Sequence, residues 1–150
     1  MSDKIVLRNA ILTDSHKICK LETNNFNTDA FSLRQIRYLI TKAKSFFVIG
    51  EVDNNIVASM VLLNRKNVEN LRVYTIVVDE KFRGQGIARK LLDYAVVMAI
   101  KLNKKSLSLE VRINNTNAIV FYEKYGLKKT TVLKSYYKDE TDAWQMKMTL

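Results

Sequence analysis

The residues best suited to chemistry begin at Arg83. Arg83-Gly84-Gln85-Gly86 is a charged loop holding two of the chain's four glycines. Ile87, Ala88, Leu91, Leu92, Ala95, Met98, Ala99 and Leu102 then recur at helical spacing. Ahead of the loop, Ile76-Val77-Val78 is an apolar β-branched run, the pattern of a buried strand. A strand, a glycine loop and a helix start together make an anion site. The first N–H groups of a helix lack intrahelical acceptors and point at whatever sits on the axis, and glycines let a ligand approach that backbone. First turns normally favour Asp or Glu, yet Arg89 and Lys90 stand there, with Arg83 just before. Each such cation costs roughly a few tenths of a kcal/mol unless an anion resides nearby. An ordinary turn would also use the glycines, but the cations favour a pyrophosphate site. No Gly-Lys-Ser/Thr follows, so this is not a nucleoside-triphosphate P-loop. The three-glycine dinucleotide fingerprint is absent too.

Three further side chains could act. Glu110 lies on the polar side of an alternating strand, Ser106 to Arg112, in which Leu107, Leu109 and Val111 face the other way. A carboxylate inside a covered sheet is costly unless paired or reached by a cleft. It is either salt-bridged to a neighbouring cation such as Arg112, or desolvated and able to work as a general base. Tyr122 sits mid-helix in an aromatic stripe and is either core or a phenol that could donate a proton. Asn115 is an N-cap or a ligand contact.

The elements that position these residues can be read in order. Lys4 to Arg8 is a short strand and Ala10 to Leu21 a helix. Glu22 to Ala30 is a polar loop, and Ser32 caps a helix from Leu33 to Thr41. Phe46 to Val52 and Ile56 to Leu63 form a hairpin about Asp53-Asn54-Asn55, residues that tolerate positive φ. A strand from Leu71 to Val78 leads into the glycine loop and long helix. After the Ser106 to Arg112 strand comes a helix from Asn115 that Gly126 ends. Strands from Thr130 to Tyr137 and Ala143 to Leu150 close the chain. Hairpins first and a strand–helix–strand–helix middle predict an α/β architecture, a mixed sheet with helices on both faces.

The 150 residues, 47% hydrophobic and 27% charged, predict a single globular domain. No apolar run reaches the length of a membrane span and Met1 to Ile5 carries no signal pattern, so cytoplasm is the expectation. The lone Cys19 excludes an internal disulfide, and with the single His16 it leaves no zinc set, so no metal is expected. Cys19 lies on an apolar stripe and reads as core, not as an acyl carrier. His16 reads as an ordinary helix residue, and Trp144 as core by its strand alternation. The net charge of +10 is spread without a dense basic run, so direct nucleic-acid binding ranks last.

Arg83-Gly84-Gln85-Gly86-Ile87-Ala88 resembles the Arg/Gln-x-x-Gly-x-Gly/Ala signature of the GNAT superfamily of acetyl-CoA-dependent N-acetyltransferases. The segment from Leu109-Glu110-Val111-Arg112 through Asn115, Ala118, Tyr122-Glu123 and Gly126-Leu127 is similar to the corresponding stretch of RimI-like N-terminal acetyltransferases. Tyr136-Tyr137 and Asp142-Ala143 with Met146 resemble that group's ending. The matched segments run from about Leu71 to Met146, roughly half the chain. The resemblance implies the GNAT fold, with a mixed, mostly antiparallel sheet of about seven strands. It implies Glu110 as general base, Tyr122 as general acid and Asn115 as an acetyl-CoA contact. Ile76, Val77 and Val78 would hold the pantetheine and acetyl carbonyl, and Arg83, Gly84, Gln85, Gly86, Ile87, Ala88 and Arg89 the pyrophosphate. Ala88 stands where a second glycine is commoner. The loop Lys138 to Thr141 is short, and Asn24 to Phe31 lacks the family's Phe-Pro-Trp-like element; both regions help form the acceptor cleft there.

The implied reaction is direct acetyl transfer to a primary amine, most naturally the N-terminal α-amine of a protein such as a ribosomal protein. An α-amine has a reference pKa near 8 against about 10.4 for lysine, so at pH 7 it is roughly a few hundredfold more available as nucleophile. The alternatives are a small-molecule amine acceptor (amino acid, aminoglycoside or polyamine) and a non-catalytic acetyl-CoA-binding module. The exposed sheet ends leave room for a homodimer, though no residue requires one.

Overall fold

The computed structural model describes residues 4–26, 29–41 and 44–150. Its strands are β1 (Val6–Asn9), β2 (Ser45–Val52), β3 (Asn55–Leu63), β4 (Asn70–Val78), β5 (Ser106–Arg112), β6 (Lys128–Leu133) and β7 (Ala143–Thr149). Its helices are α1 (Ser15–Asn25), α2 (Leu33–Thr41), α3 (Ile87–Lys101) and α4 (Thr116–Tyr125). The strands form one seven-stranded sheet, ordered β1-β2-β3-β4-β5-β7-β6. Only β4 and β5 run parallel. This is the mixed, mostly antiparallel sheet that the family resemblance implies. Among the described residues no helix is long and apolar enough to cross a membrane.

Strand alternation divides the core into two layers. Phe47, Ile49 and Val61 point to one face, where Ile18 of α1 and Ile36 and Leu39 of α2 cover them. Val48, Met60, Leu62, Leu71, Val73, Leu107 and Leu109 point to the other, against Leu91, Leu92, Ala95 and Ala99 of α3 and Ile119 of α4. Fully burying each large aliphatic side chain contributes about 1.5–3 kcal/mol. The α1–α2 layer is packed on β2, β3 and, more sparsely, β4. On that same face the polar residues of β5 and β7 remain open to a cleft.

Four of the departures from the sequence reading have a visible cause. The first helix is preceded by a 3₁₀ turn, Leu12–Asp14, and begins only at Ser15. Asp14 causes this: its carboxylate accepts the Ile11 N–H at 2.8 Å and both terminal nitrogens of Arg8 at 2.9 Å. The same helix runs on to Asn25. Thr23 Oγ1 donates to the Cys19 carbonyl at 2.8 Å and Asn25 Nδ2 to the Leu21 carbonyl at 2.9 Å, so polar residues that suit a loop are kept helical. Of the polar loop expected here, Asn27 and Thr28 lie outside the described residues. The hairpin turn is one residue tighter, because Asn55 joins β3, which leaves Asp53 and Asn54 at φ 50° and 65° as their residue types allow.

The fourth departure bears on the site. β6 was expected over Thr130 to Tyr137 but ends at Leu133. Ser135 takes φ 50° and its N–H bonds Asp142 Oδ1 at 2.8 Å, which turns the chain off the sheet. Tyr136 and Tyr137 therefore sit in the β6–β7 loop, not on a strand.

Candidate active site

The parallel β4–β5 pair is the structural origin of the site. Its register runs only from Asn70↔Ser106 to Val73↔Leu109. Beyond that point the strands separate, while β4 stays paired to β3 as far as Val78. A one-residue bulge at Tyr74 accompanies the separation: Val61 opposes Thr75, but Leu62 opposes Val73. The β5-facing edge of Tyr74–Val78 thus has no strand partner, and alternate backbone groups there are available to a ligand, except the Val78 carbonyl, which Arg83 occupies. Ile76, Val77 and Val78 lie along this edge, where the sequence reading put the acyl group and pantetheine.

At the end of that edge, Glu80–Phe82 makes a 3₁₀ turn and Arg83 to Gly86 leads into α3. Gly84 and Gly86 both have φ +81°, and a Cβ added to either would meet no atom within 4 Å. Glycine is required here by backbone conformation and leaves the loop open above it, not by packing. Gly86 caps α3 without a side-chain hydrogen bond, and the first turn holds no acidic residue. The N–H groups of Gln85 to Arg89 surround this opening; Lys90 N–H is the first to bond back, to the Gly86 carbonyl at 3.1 Å. Arg83 turns inward: Nε donates to the Val78 carbonyl at 3.1 Å and Nη2 to Asn25 Oδ1 at 3.2 Å. Asn25 Oδ1 also accepts the Glu80 N–H at 3.1 Å, so α1 clamps the loop. Arg89 lies over the Tyr125 ring, 5.6 Å from its centre. Ile87 is buried under the loop and Ala88 half-buried.

Asn115 is the N-cap of α4, its Oδ1 accepting the Ala118 N–H at 3.3 Å. Its amide nitrogen has no protein partner among the described residues. Tyr122, on the same helix, is buried in the core, and burial pushes its phenol up to about 12. Of the two roles the sequence left open, the structure shows the core one, and burial keeps the phenol protonated through the neutral range.

Glu110 lies on the opposite side of β5, with its side chain 7% exposed. The salt-bridge alternative named Arg112, and that pairing is not found. Arg72 of β4 takes the place: Nε donates to Glu110 Oε1 at 2.8 Å and Nη2 approaches it at 2.6 Å. Arg72 Nη2 also donates to Tyr136 Oη at 2.7 Å, and that hydroxyl lies 3.4 Å from Glu110 Oε1. Arg112 shares a face with Glu110 but sits two residues along, roughly 7 Å away. It is drawn instead to the two loops. It donates to Asp29 of the α1–α2 loop and, through Nη1, to Asp139 of the β6–β7 loop at 3.1 and 2.9 Å. The Tyr137 ring lies 4.1 Å from its guanidinium carbon. Arg112 thereby fastens the α1–α2 loop to the β6–β7 loop, which supplies Tyr136 to the cleft. The cleft itself encloses about 360 Å³ and is lined by Arg72, Glu110, Tyr136 and Gln145 among others.

The structure thus brings the β4 edge, the Arg83–Gly86 loop and the α3 N-terminus together, with Glu110 where the strands part. Sequence reasoning missed Arg72, Asp29 and Asp139. Arg72 had a signal: it is a lone charge between Leu71 and Val73 in an otherwise apolar stretch of strand. The two aspartates had none, since their partner is fixed by topology.

The chain and its fold have counterparts among known proteins. The N-alpha-acetyltransferase of Saccharolobus solfataricus is 34% identical over 93% of this chain and 90% of its own. The crystal structure of Ard1 from Thermoplasma volcanium superimposes with a TM-score of 0.85 at 26% identity, covering 97% of both chains. That of the ribosomal-protein alanine N-acetyltransferase from Escherichia coli gives 0.85 at 21% identity, over 97% of this chain and 94% of the other, a likeness of fold. The pattern described as the acetyltransferase (GNAT) family matches residues 11–127, and the chain belongs to that family.

Proposed function

We propose that this protein transfers the acetyl group of acetyl-CoA to the N-terminal α-amine of a protein, acting as one catalytic domain in the cytoplasm. The carrying observation is the parting of β4 from β5 beside Glu110. It offers an unpaired strand edge to the thioester on one side of the sheet and a carboxylate to the amine in an open cleft on the other. GNAT acetyltransferases use acetyl-CoA, and the residues here suit it. The open glycine loop and unbonded N–H groups from Gly84 to Arg89 suit a pyrophosphate, the free edge at Ile76 to Val78 suits an extended pantetheine, and the Asn115 amide can reach a carbonyl. The name of the Saccharolobus relative supports an α-amine acceptor.

In this reading the neutral α-amine attacks the thioester carbonyl, forming the C–N bond. Backbone N–H groups of the β4 edge stabilise the oxygen that gains charge. Glu110 accepts the amine proton through a water molecule. Arg72 and Tyr136 fix its carboxylate so that it faces the cleft. As the C–S bond breaks, the Tyr122 hydroxyl donates to the departing sulfur. An acceptor amine with pKa near 8 is already partly neutral at pH 7, which favours it as the nucleophile.

The test is acetyl transfer read as free-thiol release, over peptides with free Ala, Ser or Met N-termini, the same peptides N-blocked with an internal lysine, polyamines and aminoglycosides. Turnover confined to free N-termini is expected. Turnover on small amines alone would overturn the acceptor assignment and leave the cofactor assignment standing.

A further inference from the structure

The cleft does not stop at Glu110. It continues along the sheet past Ser108 and ends against Arg65 in the connection from β3 to β4. Glu110 is the one carboxylate among its lining residues, and Arg72 already occupies it. Arg65 is exposed, and no ion pair engages its guanidinium among the described residues. Register adds two more cations to this face. Lys147 stands opposite Ser108 on β7, and Lys128 of β6 stands opposite Lys147. Like charges directly opposed across strands are destabilising unless an anion lies between or beside them. Here the face that Glu110 shares is cationic once its own ion pair is counted out.

We infer that the acceptor is an acidic N-terminal segment, with Asp or Glu at its second or third position and Arg65 as the residue that selects it. This rests on the reading that the acceptor is a protein N-terminus. With the α-amine at Glu110, an extended peptide advances about 3.3–3.6 Å per residue. Arg72 and Asn70, two residues apart on β4, mark roughly 7 Å of the same path. Register puts Asn70 level with Ser106, four residues and roughly 13 Å before Glu110. The second and third side chains therefore stop short of that end of the cleft and come within reach of the long Arg65 side chain, whose planar fork matches a carboxylate.

The experiment compares two peptides of equal length, one beginning Ser-Asp-Glu and the other Ser-Lys-Lys. The wild type is set against Arg65→Glu and against Lys124→Glu, which makes the same charge change on the exposed side of α4. The wild type is expected to favour the acidic peptide by about tenfold in kcat/KM, carried by KM. Arg65→Glu should erase or invert the preference, and Lys124→Glu should keep it. Equal or reversed preference in the wild type would overturn the inference alone. So would an equal response to both substitutions, since that reports the general surface charge. Turnover of neither peptide, with small amines still acetylated, would overturn the N-terminal reading and this inference with it.

Discussion

The two halves of the site are held by different forces. The proposed cofactor half is made of backbone: a strand edge left free by a bulge, two glycines at φ +81°, and a helix start. The proposed acceptor half is made of side chains, tied by ion pairs between residues far apart in sequence. Arg72 and Glu110 are 38 positions apart, and Arg112 and Asp29 are 83 apart. Backbone geometry answers to local residue type, whereas a cross-sheet ion pair answers to topology and can be rewired by one substitution. The family match, residues 11–127, covers all of the first half and stops short of the β6–β7 loop that completes the second.

The largest break should come at the point where the halves meet. Glu110→Gln keeps the shape of the side chain and removes its ability to accept a proton. Turnover should fall by about 10²- to 10⁴-fold, while acetyl-CoA affinity, measured by calorimetry, stays at the wild-type value. A matching loss of acetyl-CoA affinity would mean that Glu110 supports the cofactor half and is not the base.

A crossed pair of variants separates the halves with a smaller effect. Gly86→Val puts a β-branched residue at positive φ, a strain of about 1–2 kcal/mol. It should weaken acetyl-CoA binding by roughly tenfold and leave the peptide KM alone. Arg112→Ala releases the α1–α2 and β6–β7 loops together. With its side chain 25% exposed, the lost charged hydrogen bonds are discounted to about 1.5 kcal/mol. That predicts a peptide KM raised roughly tenfold at unchanged acetyl-CoA affinity. Arg112→Lys should fall between, because lysine keeps the charge but cannot span both aspartates with one planar fork. Effects of the two variants on the same constant would show that the halves are one unit.

This contrast also explains what could be read from the chain. The strand, glycine loop and helix at 76–92 were legible because each residue's preference is local and the three agree. The parity of Ser106 to Arg112 correctly put Glu110 on the polar face, since alternation is a property of the strand itself. Its partner was not legible. Arg112 is near in sequence and on the same face, but Arg72 is nearer in space, because the parallel pairing of β4 with β5 is a long-range fact. The closing strand was overextended for a related reason. Thr130 to Tyr137 has strand-favouring residues, and only the Asp142 carboxylate bonding back to Ser135 N–H shows that the chain must turn.

The smallest predicted effect concerns stability and comes from Glu22 of α1, whose carboxylate holds the chain at Phe31. It is 1% exposed on α1, accepts the Phe31 N–H at 3.1 Å through Oε1, and leaves Oε2 buried with no partner. Burial raises its carboxyl to about 7, from 4.5 in the ordinary range. Between those values the folded protein holds a proton that the unfolded chain has released. The stability this affinity represents is complete below about pH 4.5 and is lost as pH rises through 7, where the buried group must ionise. Glu22→Gln stays neutral throughout and still accepts from Phe31. The variant should therefore gain on the wild type as pH rises, by about 1–3 kcal/mol between pH 4.5 and 8 in urea unfolding. The amide nitrogen left without a partner adds only a pH-independent offset. Parallel stability curves for the two proteins would show that Glu22 ionises freely in the folded state, and that the turn at Phe31 rests on the hydrogen bond and not on the proton.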